Sequence, residues 1–102
     1  MLLAFSVAPT TSTAPDGSVA DAVAAAVRIV RDSGLPNRTD SMFTTVEGEW
    51  DQVMDVVKRA TEAVLAVSPR VSLVMKADIR PGYTGQLDAK VARVESVLGG
   101  DA

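Results

Sequence analysis

The sequence predicts an α+β sandwich: a four-stranded antiparallel sheet, two helices on one of its faces, and a short helix at the C-terminal end. Three observations carry this. Two apolar runs, Leu2 to Ala8 and Val71 to Ile79, have strand character, the second with its sides alternating. Two longer stretches repeat apolar residues at the spacing of an α-helix. Glycine, proline and clustered hydroxyls punctuate the chain between them.

Leu2 to Ala8 is interrupted only by Ser6 and reads as a strand buried on one face and partly covered on the other. Pro9 to Gly17 holds two prolines and four Ser/Thr residues, a loop composition. Ser18 then stands as a helix N-cap, with Asp21 in the reciprocal position of a capping box. Val19, Val23, Val27 and Val30 form the stripe of this first helix, widened by Ala22, Ala26 and Ile29, and Gly34 sits where a left-handed residue would end it. Leu35 to Asp40 contains Pro36 and suits only a short edge strand.

Met42 to Glu47 is β-branched and aromatic, the mark of a strand, and Gly48 closes it. A second helix starts near Glu49, carries Val53, Val57, Ala60, Val64 and Val67 along one face, and is stopped after Ser68 by Pro69. Arg70 to Ile79 then alternates, with Val71, Leu73, Met75, Ala77 and Ile79 on one side and Ser72, Val74, Lys76 and Asp78 on the other. After a Pro-Gly turn, Leu87, Val91, Val94 and Leu98 mark the last helix, which Gly99 and Gly100 end. The order β1 α1 β2 β3 α2 β4 α3 is two βαβ units in tandem, the ferredoxin-like pattern, with β1 and β3 central and one sheet face bare.

A chain of 102 residues supports one core, so residues 1–102 are expected to form a single domain. With 47% hydrophobic and 23% charged residues, the composition is that of a folded protein. A net charge of −3 and no basic cluster argue against nucleic acid. The apolar start is too short for a membrane span and lacks a positive leader, so a cytoplasmic protein with no membrane partner is expected. Cysteine and histidine are both absent, which removes disulfides, soft-metal ligands and the commonest general base. No phosphate-binding loop, nucleophile elbow or metal spacing appears, and the expectation is a non-enzyme without metal or cofactor.

The most specific chemistry lies in Met42-Phe43-Thr44-Thr45-Val46-Glu47-Gly48. An acid at the end of a mostly apolar strand either faces solvent or binds something, because burying it unpaired is costly. Strand parity puts Thr45 and Glu47 on one face with Phe43, and Thr44 on the other, so Thr44 and Glu47 converge only at a bulge or a strand end. Ser6 in an apolar strand is a further polar candidate. Phe43 and Trp50 suit core or interface better than a ligand platform. Lys76 and Asp78 share the polar face of β4, where they can pair, and Tyr83 decorates the following turn.

Together, Ser6, Ser33-Gly34, the run Met42 to Gly48 and Lys76-Ala77-Asp78-Ile79-Arg80 resemble the small YkoF-like thiamine-binding protein family from Leu2 to Leu98. The resemblance implies a ferredoxin-like fold, dimers or tetramers formed through the sheet face, and binding of thiamine or its hydroxymethylpyrimidine moiety without turnover. It implies Ser6, Thr44 and Glu47 as ligand-binding positions, with Phe43 and Thr45 beside them. Phe43 is a departure, standing where many members have glycine. A carboxylate and hydroxyls match the amino group and ring nitrogens of an aminopyrimidine, and an acidic, aromatic surrounding suits a thiazolium cation. The competing expectation is a structural or regulatory oligomeric module whose bare sheet face is only an interface.

Overall fold

β1 (Leu2–Pro9) runs through the middle of the sheet, and everything else is registered on it. The computed structural model describes residues 1–11 and 14–99. Ser12 and Thr13 of the predicted loop, and Gly100 of the predicted helix stop, lie outside the described residues. The remaining elements are α1 (Ala20–Asp32), β2 (Asn37–Thr39), β3 (Thr44–Glu47), α2 (Trp50–Leu65), β4 (Val71–Asp78) and α3 (Gln86–Gly99). The sheet order is β2-β3-β1-β4 with every pairing antiparallel, the ferredoxin-like α+β arrangement that the sequence predicts.

Register fixes the two faces. Leu3, Phe5 and Val7 of β1 align with Val46 and Thr44 of β3 on one side and with Ala77, Met75 and Leu73 of β4 on the other. This is the helix-covered face, where Leu3, Phe5, Val7 and Val46 are buried with Ala26 and Val30 of α1 and Val53, Val56, Val57, Ala60 and Val64 of α2. A valine-rich core of this kind packs closely because α1 presents alanines to its neighbours. The opposite face carries four cross-strand rows: Glu47–Leu2–Asp78, Thr45–Ala4–Lys76, Ser6–Val74 and Ala8–Ser72.

The helix termini depart from the sequence reading in instructive ways. α1 starts later than Ser18; its N-cap is Val19, and the Ser18 hydroxyl accepts the Ala20 N–H at 3.2 Å as a local turn. α2 has a reciprocal capping box instead, Glu49 with Gln52, and ends at Leu65, so Val67 lies past the helix and is exposed. Val56, outside the predicted stripe, is core. Gly34 does take a left-handed conformation, φ 77°, which only glycine adopts without strain. β4 is an edge strand, so Leu73 and Met75 are exposed even though their parity points to the covered face.

α3 is the main surprise in extent. Expected as a short helix, it has 14 residues and no buried one. Leu87 is half-buried at its start, but Val91, Val94 and Leu98 are exposed, so the predicted stripe exists without a covering partner among the described residues.

Replacing Phe5, the largest core side chain on β1, by alanine is expected to cost about 3–5 kcal/mol of stability through lost burial and a residual cavity. Urea denaturation with an unchanged m-value is the check.

Candidate functional site

Glu47 is the last residue of β3, and antiparallel parity turns its side chain to the face away from α1 and α2. It is nevertheless buried, 7% exposed, because the start of α3 folds over it. One carboxylate oxygen accepts the Gln86 N–H at 2.9 Å and the other accepts the Leu87 N–H at 3.2 Å. The reason is legible in the chain around residue 85. Ala89 donates to the Gly85 carbonyl, making Gly85 the N-cap, and glycine has no side-chain oxygen to satisfy the first helical N–H groups. Glu47 supplies that oxygen from 39 residues away, and its negative charge lies at the positive end of the helix. The expectation of a solvent-facing acid does not hold: Glu47 is buried, and its partner is the chain's own backbone.

The surroundings of Glu47 open on two sides. A cavity of about 380 Å3 is lined by Leu35, Pro36, Gly48, Gln52, Thr84 and Leu87, among others, together with Glu47. In it the Gln52 amide oxygen is taken by the Glu49 N–H, leaving its NH2 group as a donor. On the other side, a notch of about 40 Å3 is bounded by Glu47, Asp78, Arg80, Tyr83, Lys90 and Arg93. Asp78 bonds Lys90 of α3, not Lys76 of its own strand. That hydrogen bond and charge hold the Asp78 carboxyl below its ordinary value of 3.8. The Arg80 guanidinium lies 3.4 Å over the centre of the Tyr83 ring, so Tyr83 does more than decorate the turn. Arg38 of β2 reaches Asp88 and adds a third tie to α3.

The residues named from the sequence do not form one cluster. Ser6, Phe43 and Thr44 line a separate cavity of about 250 Å3 between β1, α1 and the turn at 40–43, walled by Val19, Val23 and Val27. Thr44 is buried, and its hydroxyl pairs with that of Thr39 at 3.1 Å. Thr45 shares Glu47's face and stands in the next cross-strand row, opposite Ala4. Thr44 and Glu47 thus remain on opposite faces, as parity requires of a regular strand.

Asp40, not singled out in the sequence, also lines the smaller cavity. One of its oxygens accepts the Met42 and Phe43 N–H groups at 2.8 and 2.9 Å, and these bonds lower its pKa from 3.8. The Asp-Ser pair opening the turn is the signal that could have found it. Trp50 begins α2 and is 55% exposed, so it belongs to no core. Among the described residues no group of three His, Cys, Asp or Glu is placed to hold a metal, and no helix is long and apolar enough to cross a membrane.

With this geometry in view, comparison with known proteins is decisive for kinship. The sequence profile of the thiamine-binding protein family matches residues 3–95. The chain belongs to that family. A UPF0045 protein of Mycobacterium bovis is 54% identical over 96% of this chain and 94% of its own length. Among solved structures, a Bacillus cereus domain of unknown function superposes with a TM-score of 0.78 at 34% identity, covering 90% of this chain and 86% of that one. A Thermotoga maritima protein described as a candidate for thiamine biosynthesis or salvage shares the fold, with a TM-score of 0.72 at 24% identity over 90% of this chain and 97% of that one. The family is described as thiamine-binding, and the Mycobacterium bovis relative carries only the name UPF0045 protein.

Removing the Glu47 carboxylate is expected to loosen α3 selectively. Glu47→Ala should weaken its docking by about 1–2 kcal/mol, the usual worth of a helix cap, and speed amide exchange in α3 about 5- to 30-fold. Exchange in β1 and α2, followed by NMR in the same sample, should stay as it is in the wild type.

Proposed function

We propose that this protein binds thiamine or its hydroxymethylpyrimidine moiety reversibly, without turning it over, at the end of the sheet where Glu47 lies. The observation that carries the reading is a buried carboxylate with unfilled acceptor capacity on a cavity of about 380 Å3. A carboxylate offers about four lone-pair sites, and α3 takes two of them. The volume falls within the roughly 300–1,000 Å3 of small-molecule pockets. Its polar groups complement an aminopyrimidine: Glu47 accepts from the exocyclic amine, while the Gln52 NH2 and the Thr84 hydroxyl can donate to ring nitrogens. Leu35, Pro36 and Leu87 provide apolar contact for the ring faces. Thr45, on the same sheet face, stands in the row beside this end.

A second location is favoured by one specific observation, the convergence of Ser6, Phe43 and Thr44 on the smaller cavity. At about 250 Å3 it suits a single ring better than thiamine's two. Asp40, Ser41 and the hydroxyls around it would then read the amine, and Phe43 would stack on the ring.

Calorimetry separates the two. With thiamine as titrant, Glu47→Gln is expected to weaken binding about tenfold or more, the cost of exchanging a charged acceptor for a neutral one at a buried site. A loss seen with Phe43→Ala and not with Glu47→Gln moves the ligand to the smaller cavity. No heat from the folded wild type at millimolar thiamine removes both locations and leaves the oligomeric module.

Self-association accompanies this reading. β4 is an eight-residue edge strand with Leu73, Val74 and Met75 exposed, and the bare face beside it adds Leu2 and Ala4, a surface that a second copy covers well. Sedimentation equilibrium is expected to give a dimer or tetramer at micromolar concentration. Val74→Lys, which places a charge in the middle of that surface, should shift it toward monomer.

A further inference from the structure

The notch on the far side of Glu47 collects three cations, Arg80, Lys90 and Arg93, around two carboxylates that already have partners. Glu47 is held by the two backbone N–H groups of α3, and Asp78 by Lys90. The Arg80 guanidinium rests on the Tyr83 ring, and among the described residues neither Arg80 nor Arg93 is bonded to a carboxylate. The notch thus gathers three positive charges against two carboxylates, and those two are already engaged, Glu47 by the α3 N–H groups and Asp78 chiefly by Lys90. The convergence depends on α3. Lys90 and Arg93 are three residues apart and therefore share a helix face, and the Glu47 clamp fixes the start of that helix beside the end of β4.

Guanidinium groups in this arrangement match one ligand chemistry best. A phosphate monoester presents three acceptor oxygens and up to two negative charges, and it is bound by paired or forked Arg donors. The notch, about 40 Å3, is too small for a ring. Glu47 lines both the notch and the larger cavity, so the two recesses share one wall.

We infer that the ligand of this protein is the phosphate monoester of the ring compound, its phosphate held by Arg80 and Arg93 beside Glu47. The inference rests on the binding proposed above and narrows its ligand class. It assigns the strand-end Arg80 and the helix residue Arg93 to ligand selection, a role separate from ring recognition by Glu47.

The test is calorimetry on the full chain with three titrants: thiamine, thiamine monophosphate and inorganic phosphate, at low and at high salt. Thiamine monophosphate is expected to bind about tenfold or more tighter than thiamine near 50 mM salt, a difference of about 1.4 kcal/mol. The ratio should shrink toward one near 0.5 M salt, where screening is strong. Arg93→Gln alone, and Arg80→Gln with Arg93→Gln, should remove the preference while leaving thiamine affinity within about twofold. Arg93 is exposed, so its single variant keeps the test independent of the Arg80–Tyr83 contact. Equal affinity for thiamine and its monophosphate overturns the inference and leaves ring binding standing. Inorganic phosphate binding alone as tightly as the monophosphate also overturns it, since the anion site would then serve no ring ligand. If neither thiamine nor its monophosphate binds, the ring-binding proposal fails first and this one falls with it.

Discussion

The structure depends on one exchange of unmet needs between Glu47 and the first turn of α3. A carboxylate at the end of a central strand is expensive to bury without donors, and a helix that begins at a glycine has N–H groups with no local acceptor. Each would be a defect alone. Together they form two hydrogen bonds, at 2.9 and 3.2 Å, joining residues about 40 apart in sequence. Little else fixes α3, which has no buried residue and whose ion pairs, Arg38 to Asp88 and Lys90 to Asp78, are solvent-exposed and individually weak. Where α3 goes, the Glu47 cavity and the cationic notch go with it.

How far the sequence foretold this differs by the range of the contact involved. Period-3.6 stripes identified the helices and alternation identified β4. Apolar and β-branched runs gave β1 and β3, composition around Pro36 left only a short edge strand for β2, and parity put Thr45 with Glu47 and Thr44 on the other face. Those are local statements, decided by neighbours in the chain. The edge position of β4 is not local: Leu73 and Met75 have the right parity for burial and remain exposed, because the helices do not cover the edge. Asp78 illustrates the same limit. From sequence its natural partner is Lys76, two residues away on the same face; the partner it takes is Lys90, brought by a helix that Glu47 caps from a distant strand.

The candidate site was legible in its residues and not in its assembly. Ser6, Phe43, Thr44, Thr45 and Glu47 are all near the central strands, yet the first three line one cavity and Glu47 another. The resemblance named positions; it carried no information about which side of a strand each side chain would use. The absent Ser, Thr, Asp or Asn at residue 85 was the one sequence signal that α3 must find its cap elsewhere. Glu47, the acid with no evident local partner, was the complementary signal.

A site built at this seam has a physical logic. Ligand-binding segments are drawn from the less stable parts of a structure, and α3 meets that description through its lack of buried contacts. Glu47 is held at both oxygens by the first N–H groups of that helix, so its remaining acceptor positions are set for as long as α3 stays docked. Under the binding proposed above, that pre-set geometry would lower the ordering cost of binding, and release of the thinly packed helix would open the cavity at the expense of the clamp. Recognition and access would then be two states of one contact, the Glu47 cap on α3.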